Sequence, residues 1–500
     1  MTKLHYLIVF IGIVMLSLAP APTLRAEVMI THEFQLGDPQ ELRLPKIRRI
    51  LPDNESNRYW IIGSLEGIYL LTESPLGSWS LDLIPNDDVY DAAGPTSNGL
   101  IYCTADTGPP QYESYISVFD TNQSAFVDAI DLPWDYPTGP IALSEDGDTL
   151  YITAGTNQEH ATSDRPVPVD SGLLIEIDIA SESVVRTVSI QPWAHSIFVW
   201  NDQMILVSCD FWQYIWDPTD DMEEQKSVVD IVSLDSFTRT SEIYCGAALH
   251  RDTNDFIAWD ESHVALLNEW LYGDFEDPQF GYGIWLINPL TGAVDGTVRV
   301  NDVYGFSRGV RHACISRERE NTLYVTPGTI NQVEPTFDYS ILVTDLDGNY
   351  IDRGPLPEDF KPEYIVETDD CKLVVTGTQY LESDVYTDVD KVFILEWPNQ
   401  PPVCSLFICT LMPYRGPSPA DIEFNATESY DLDPCDELTF EWDFDGDHVF
   451  GEPVDDFYTG PPDNPTHSYT SDYIGLVTLK LTDNHAAESY CSVTVEVDIL

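Results

Sequence analysis

Between residues 27 and 397 the chain repeats one pattern. The clearest copy is GPIALSEDGDTLYITAG followed by SGLLIEIDIASESVVRTVSI. A short strand ends in the turn LSEDGD, and TLYITAG is a second strand. LLIEIDI is a third, with Ile175, Ile177 and Ile179 alternating against Glu176 and Asp178, and VVRTVSI is a fourth. Alternation of period two, broken by turn residues, is the mark of antiparallel sheet. Fainter copies lie on both sides, among them NTLYVTPG with YSILVTDLDGNYIDRGPL, and PEYIVETDDCKLVVTGTQ with DKVFILEW.

The copies recur every 40 to 55 residues or so, and a four-stranded unit at that period predicts the blade of a β-propeller. The last copy stops at Trp397, before PNQPPV, with only three strands. A candidate for the fourth is VMITHEFQL, residues 28–36. Pairing it into the last blade would close the ring and remove two exposed edges. The count is then about seven blades, with six or eight left open because the first two copies are poorly delimited. The pattern resembles the YVTN family of β-propellers, through LSEDGDTLYITAG and IEIDIASESVV and their echoes NTLYVTPG and SVFDTNQSAFV.

After a proline-rich linker at 398–402 the character changes. Residues 403–500 form short alternating strands, as in VTLKLTD and VTVEVDIL, which predicts a β-sandwich. The fold class is therefore all-β, a propeller followed by a sandwich. The second part resembles the PKD domain, an Ig-like sandwich, through Trp442, Asp443, Phe444, Asp445 and Gly446 and then Pro465, His467, Tyr469, Gly475 and Asp483. It departs from that family in the longer hairpin DFDGDHVFGEP and in Cys435, where glycine is usual.

The aspartates of FEWDFDGD read first as hairpin chemistry, with Trp442 and Phe444 turned to the core. The resemblance adds a second reading, since some PKD domains bind Ca²⁺ through acidic loops. Asp431, Asp433 and Asp436 would then join Asp443 or Asp445 as oxygen ligands, the donor type that Ca²⁺ takes.

The chain opens MTKLHYLIVFIGIVMLSLAPAPTLRA, a basic residue, an apolar run and small residues. That layout predicts a secretory signal peptide over 1–26 and an exported protein, with no membrane insertion after cleavage. The 85 acidic against 23 basic residues give a net charge of −62, which excludes nucleic acid and anionic membranes as partners. Of nine cysteines, Cys103, Cys209, Cys245, Cys314 and Cys371 are scattered. Cys404, Cys409, Cys435 and Cys491 form an even set near the end, with three disulfide pairings open.

Propeller enzymes work in the central channel. His195 and His312 stand near the start of innermost strands, within one residue of the same repeat position. Glu363 matches them in the last copy, and Arg308 and Arg311 precede His312. Such a set would make a lyase- or hydrolase-like site, whereas a one-residue offset would turn one histidine to the other face.

The leading expectation is an exported, non-enzymatic binding or adhesion protein. It would recognise a protein or polysaccharide of the cell surface or extracellular space, with the second domain as spacer or interaction module and no cofactor other than Ca²⁺. The alternatives are the channel enzyme and a calcium-dependent structural component of the envelope.

Overall fold

The computed structural model describes residues 29–498 outside a set of connecting stretches. The longer of these are 37–46, 107–113, 155–171, 214–223, 248–254, 268–282, 302–308, 329–339, 380–388 and 451–457, and the rest are a few residues each. The expected signal peptide and Arg308 lie outside the described residues.

The described chain is all-β. Seven antiparallel four-stranded sheets succeed one another along it, as blades 1 to 6 at residues 47–85, 89–131, 138–190, 194–247, 256–298 and 310–354, and blade 7 at 360–396. Blade 7 takes its fourth strand from the other end of the chain, where Met29–Gln35 pairs antiparallel with Val389–Glu396. Each blade contacts the blade before and after it near the innermost strands, and blade 7 returns to blade 1, so the ring is closed.

The apolar core of the ring is divided into seven clusters, one at each blade junction. At the first, Trp60 and Ile62 of blade 1 meet Val89, Ile101 and Phe119 of blade 2, with the Trp60 and Phe119 rings edge to face at 5.0 Å. Each blade is thus covered on both faces, which is why its middle strands read as near-continuous apolar runs such as Tyr59–Ile62. The outermost strands of blades 2 to 6 carry a register shift at one equivalent place, opposite Val118/Phe119, Glu176/Ile177, Ile231/Val232, Leu286/Ile287 and Val343/Thr344. A bulge there disrupts an edge that would otherwise be free to pair with another chain.

Residues 407–498 form two further four-stranded sheets around a separate core. Trp442 and Phe444 lie in that core with their rings stacked at 5.3 Å, and Phe424 packs on both. His467 stacks on Phe444 at 4.3 Å, and Tyr469 Oη donates to the Phe444 carbonyl at 3.0 Å.

Candidate functional site: the propeller channel

In six blades the innermost strand bulges once, in blade 3 between Thr138 and Ile141, and in the other five the register shows which residue follows the bulge at one shared place. In blade 1 it is Arg49, opposite Ile62; in blade 2 Asp91, opposite Thr104; in blade 4 Ser196, opposite Ser208. In blade 6 it is His312, opposite Thr326, and in blade 7 Tyr364, opposite Thr376. Blade 5 puts Asp255 just ahead of Phe256–Ala258, its carbonyl accepting from Leu267 N at 2.9 Å.

In blades 2, 4 and 6 the second strand holds this bulge with a hydroxyl. Thr104 Oγ1 accepts from Asp91 N and donates to Asp91 O. Ser208 Oγ accepts from Ser196 N at 3.1 Å. Thr326 Oγ1 accepts from His312 N at 2.9 Å and lies within 3.0 Å of His312 O and 3.2 Å of Glu363 O. The hydroxyls of Thr104, Ser208 and Thr326 therefore fix where the channel residue stands in blades 2, 4 and 6.

These residues share one electrostatic environment across the ring. Burial opposes the charge of Arg49, but Asp91, Asp255 and Tyr364 outweigh it and raise its pKa. Arg49 Nε lies 3.3 Å from Asp91 Oδ1, and Asp91 Oδ2 accepts from Ile141 N of blade 3 at 3.1 Å. Burial raises the Asp91 pKa against the pull of Arg49. Asp255 Oδ1 accepts from Ser196 Oγ and from its neighbour Phe256 N, both at 2.8 Å. His312 Nδ1 accepts from Ile365 N at 3.4 Å, and its Nε2 faces Asp255 Oδ2 at 3.7 Å. The imidazole packs on the Tyr364 ring at 5.1 Å. Burial lowers the His312 pKa, Asp255 opposes this and Arg49 adds to it.

The expected pairing of His195 with His312 is corrected by the bulge. His195 precedes Ser196 and so corresponds to Arg311, while the counterpart of His312 in blade 4 is Ser196. A single residue of offset separates the two histidines, as the pleat requires. Glu363 likewise precedes Tyr364 and meets Arg311 rather than His312, with Arg311 Nη1 3.4 Å from Glu363 Oε1. Sequence reasoning missed Arg49, Asp91, Ser196, Asp255 and Tyr364. Aligning the copies on the hydroxyl of the second strand would have found four of the ring positions, Asp91, Ser196, His312 and Tyr364.

Ser196, Asp255 and His312 do not form a nucleophilic triad. The carboxylate lies between the hydroxyl and the imidazole, so His312 does not reach Ser196 Oγ as a triad histidine would. The arrangement is suited to binding through paired donors and acceptors.

The acidic residues of the sandwich fall into two separate sets, Asp431, Asp433 and Asp436, and Asp443, Asp445 and Asp447. The expected union of the loop with the hairpin is thus corrected. Asp443 is buried, with its oxygens accepting from Gly446 N at 2.6 Å and His448 N at 2.9 Å. Asp445 accepts from Asp447 N and Asp447 from Val449 N. Gly446 has φ +80°, and a Cβ there would meet Tyr473 Oη at 3.0 Å and Leu476 O at 3.1 Å. The hairpin acids therefore serve the turn.

The loop set is different. Asp431 Oδ2 is buried and has no hydrogen-bond partner among the described residues. Burial, then repulsion from Asp436, Asp433 and Asp483, raise the Asp431 pKa. Burial also raises that of Asp436, against its contact with His485. Crowded carboxylates with an unsatisfied oxygen fit a hard cation such as Ca²⁺.

This loop is also the junction of the two domains. Cys435 is bonded to Cys371, in the turn after the first strand of blade 7. Arg319 of blade 6 reaches to 3.8 Å from Asp433 Oδ1 and stacks over Trp397. The four terminal cysteines are therefore not a set of their own. Cys404 pairs with Cys491, Cys435 pairs outside the sandwich, and Cys409 is an exposed free thiol.

No family model matches the chain, and no curated protein does. Among solved structures, the chain is similar to Kuenenia stuttgartiensis hydrazine synthase at 12% identity and a TM-score of 0.46, covering 70% of this chain and 95% of that one. It is similar to the Neurospora crassa Pan2 WD40 domain at 11% identity and a TM-score of 0.47, covering 75% and 97%. A third likeness is to the WD40 β-propeller domain of Doa1, at 9% and 0.45, covering 74% and 97%.

Proposed function

We propose that the chain is an exported, non-enzymatic binding protein that presents one face of the propeller to a protein or polysaccharide. The sandwich serves as an interaction or spacer module. The observation that carries this is the inequality of the two faces. On one, the strands are joined by tight turns, as from Trp200 to Met204 and from Asp345 to Tyr350. On the other, in blades 3 to 7, the second and third strands lie far apart in sequence, Ala154 from Gly172, Gln213 from Glu224, Leu267 from Ile284, Pro327 from Ile341 and Gln379 from Val389. The intervening sequences are rich in acids and aromatics, as in YIWDPTDDME and NEWLYGDFEDPQFGY. Rigid scaffolds commonly place recognition on such loops. The YVTN and PKD resemblances support the same reading, and the leader sequence supports export.

The charge of −62 favours neutral or cationic ligands. A calcium-dependent structural role in the envelope is a second reading, favoured by the unsatisfied oxygen of Asp431 at the domain junction.

Glycan arrays and cell-surface preparations, probed with the full chain, test the first reading. Shortening two of the long connections is expected to abolish binding, and altering the turns of the opposite face to leave it intact. Equal loss from both faces would overturn the assignment.

A further inference from the structure

We propose that the propeller channel holds a separate site for a small neutral polyhydroxylated molecule, a sugar residue or polyol, one hydroxyl of which bridges His312 Nε2 and Asp255 Oδ2. This does not rest on the face-binding reading and can hold or fail without it.

The two atoms are a donor and an acceptor side by side. Ile365 N donates to His312 Nδ1, so the proton of the neutral imidazole sits on Nε2. Ser196 Oγ and Phe256 N both donate to Asp255 Oδ1, which leaves Oδ2 as the open acceptor. At 3.7 Å the pair is too far apart for a direct hydrogen bond. Their side chains keep 15% and 24% of their exposure, so the pair is reachable. A hydroxyl can accept from Nε2–H and donate to Oδ2 at once.

Other ligand classes fit less well. An ammonium group has only donors and would meet the Nε2–H head on. A carboxylate or phosphate has only acceptors and would meet Asp255 inside a chain of charge −62. The charge of Arg49 is matched by Asp91, 3.3 Å away. Burial and Arg49 keep His312 in its neutral form, the one the hydroxyl needs. Arg49 and Tyr364 belong to the same electrostatic environment as the pair. Metal binding is poorly served, because among the described residues only two ligand groups converge and Arg49 stands beside them.

The test is ligand-observed saturation-transfer NMR on the full chain at neutral pH. The probes are glycerol and the methyl glycosides of glucose, galactose and mannose, with methylammonium and acetate as competitors. Saturable binding of at least one hydroxyl probe is expected, displaced by neither ion. In Asp255→Asn, Ser196 and Phe256 hold the amide oxygen in place of Oδ1, which turns the amide NH₂ toward His312. Two donors then face each other, and affinity is expected to fall tenfold or more. His312→Phe keeps the packing on Tyr364, removes the donor and is expected to do the same. Thermal melts show whether each variant is folded, and the ion competition on the native chain needs no variant. The proposal is overturned if no hydroxyl probe binds, if methylammonium displaces the probe more readily than glycerol does, or if both folded variants bind as the native chain does.

Discussion

Ser196 and His312 hold the same place in two blades, and both converge on Asp255 of the blade between them. Ser196 donates to one carboxylate oxygen at 2.8 Å, while His312 faces the other at 3.7 Å. Blades 4, 5 and 6 thereby meet around a single carboxylate. The outcome depends on the bulge in each innermost strand, because that extra residue turns these two side chains inward.

Thr326→Val tests how firmly the bulge is held. The hydroxyl is fully buried and serves both the His312 amide and carbonyls on two blades. Removing it leaves a buried amide unsatisfied, at a cost of about 1–3 kcal/mol. Urea unfolding of the variant is expected to show that loss, and an unchanged midpoint would mean the bulge is held by the strand ladder alone.

His312 should leave a mark on the pH dependence of stability. Its folded pKa lies below the ordinary imidazole value of 6.5, so the unfolded chain binds the proton more readily. Its contribution is therefore present above that value and is lost as pH falls through the folded pKa. Asp91, Asp431, Asp436 and His263, whose pKa values are raised, act in the opposite sense. Comparing native chain and His312→Gln cancels these other groups. The stability difference between the two is expected to shift against the native chain from pH 7 to pH 5, and a constant difference would contradict the assignment.

Lys372 braces the closing blade. Its Nζ contacts Glu73 of blade 1, Asp370 at 2.7 Å and Glu396 at 3.7 Å. Burial raises the Glu73 pKa and the contact with Lys372 opposes it. Lys372→Met strands the buried Glu73 carboxylate, with an expected loss of about 3–5 kcal/mol. Adding Glu73→Gln should recover part of it, as a double-mutant cycle in denaturant will show.

Calcium should stabilise the chain through the junction loop. At a hundredfold excess over the dissociation constant, a cation bound only by the folded state adds about 2.7 kcal/mol. Thermal melts with Ca²⁺ and with chelator are expected to differ for the native chain and for Asp447→Asn, and to coincide for Asp431→Asn. A rise that survives in Asp431→Asn would place the cation elsewhere.

The propeller was legible because strand alternation survives in every copy and because the last copy was visibly one strand short. Trp442 and Phe444 were legible for the same reason, their spacing putting both on one face. The channel was less so. A bulge adds a residue without leaving a signature in hydrophobic periodicity, so His195 and His312 could be aligned by eye and still point apart. Asp255 escaped because it stands before a strand of only three residues, Phe256–Ala258. The Cys371–Cys435 bond was hidden by distance along the chain, since 64 residues and a domain boundary separate its ends.

The strand that completes blade 7 is among the first parts of the described chain to be synthesised, and its partner Val389–Glu396 comes more than three hundred residues later. Until then Met29–Gln35 has no place to pair, and blades 1 to 6 form an open arc with a sticky edge at each end. The chain therefore stays unfinished for most of its translation, a state that proteases or chaperones can reach. Once the two ends meet, pulling on the N-terminus loads the same blade that the disulfide ties to the sandwich. Mechanical force applied at either domain thus converges on one seam of the ring.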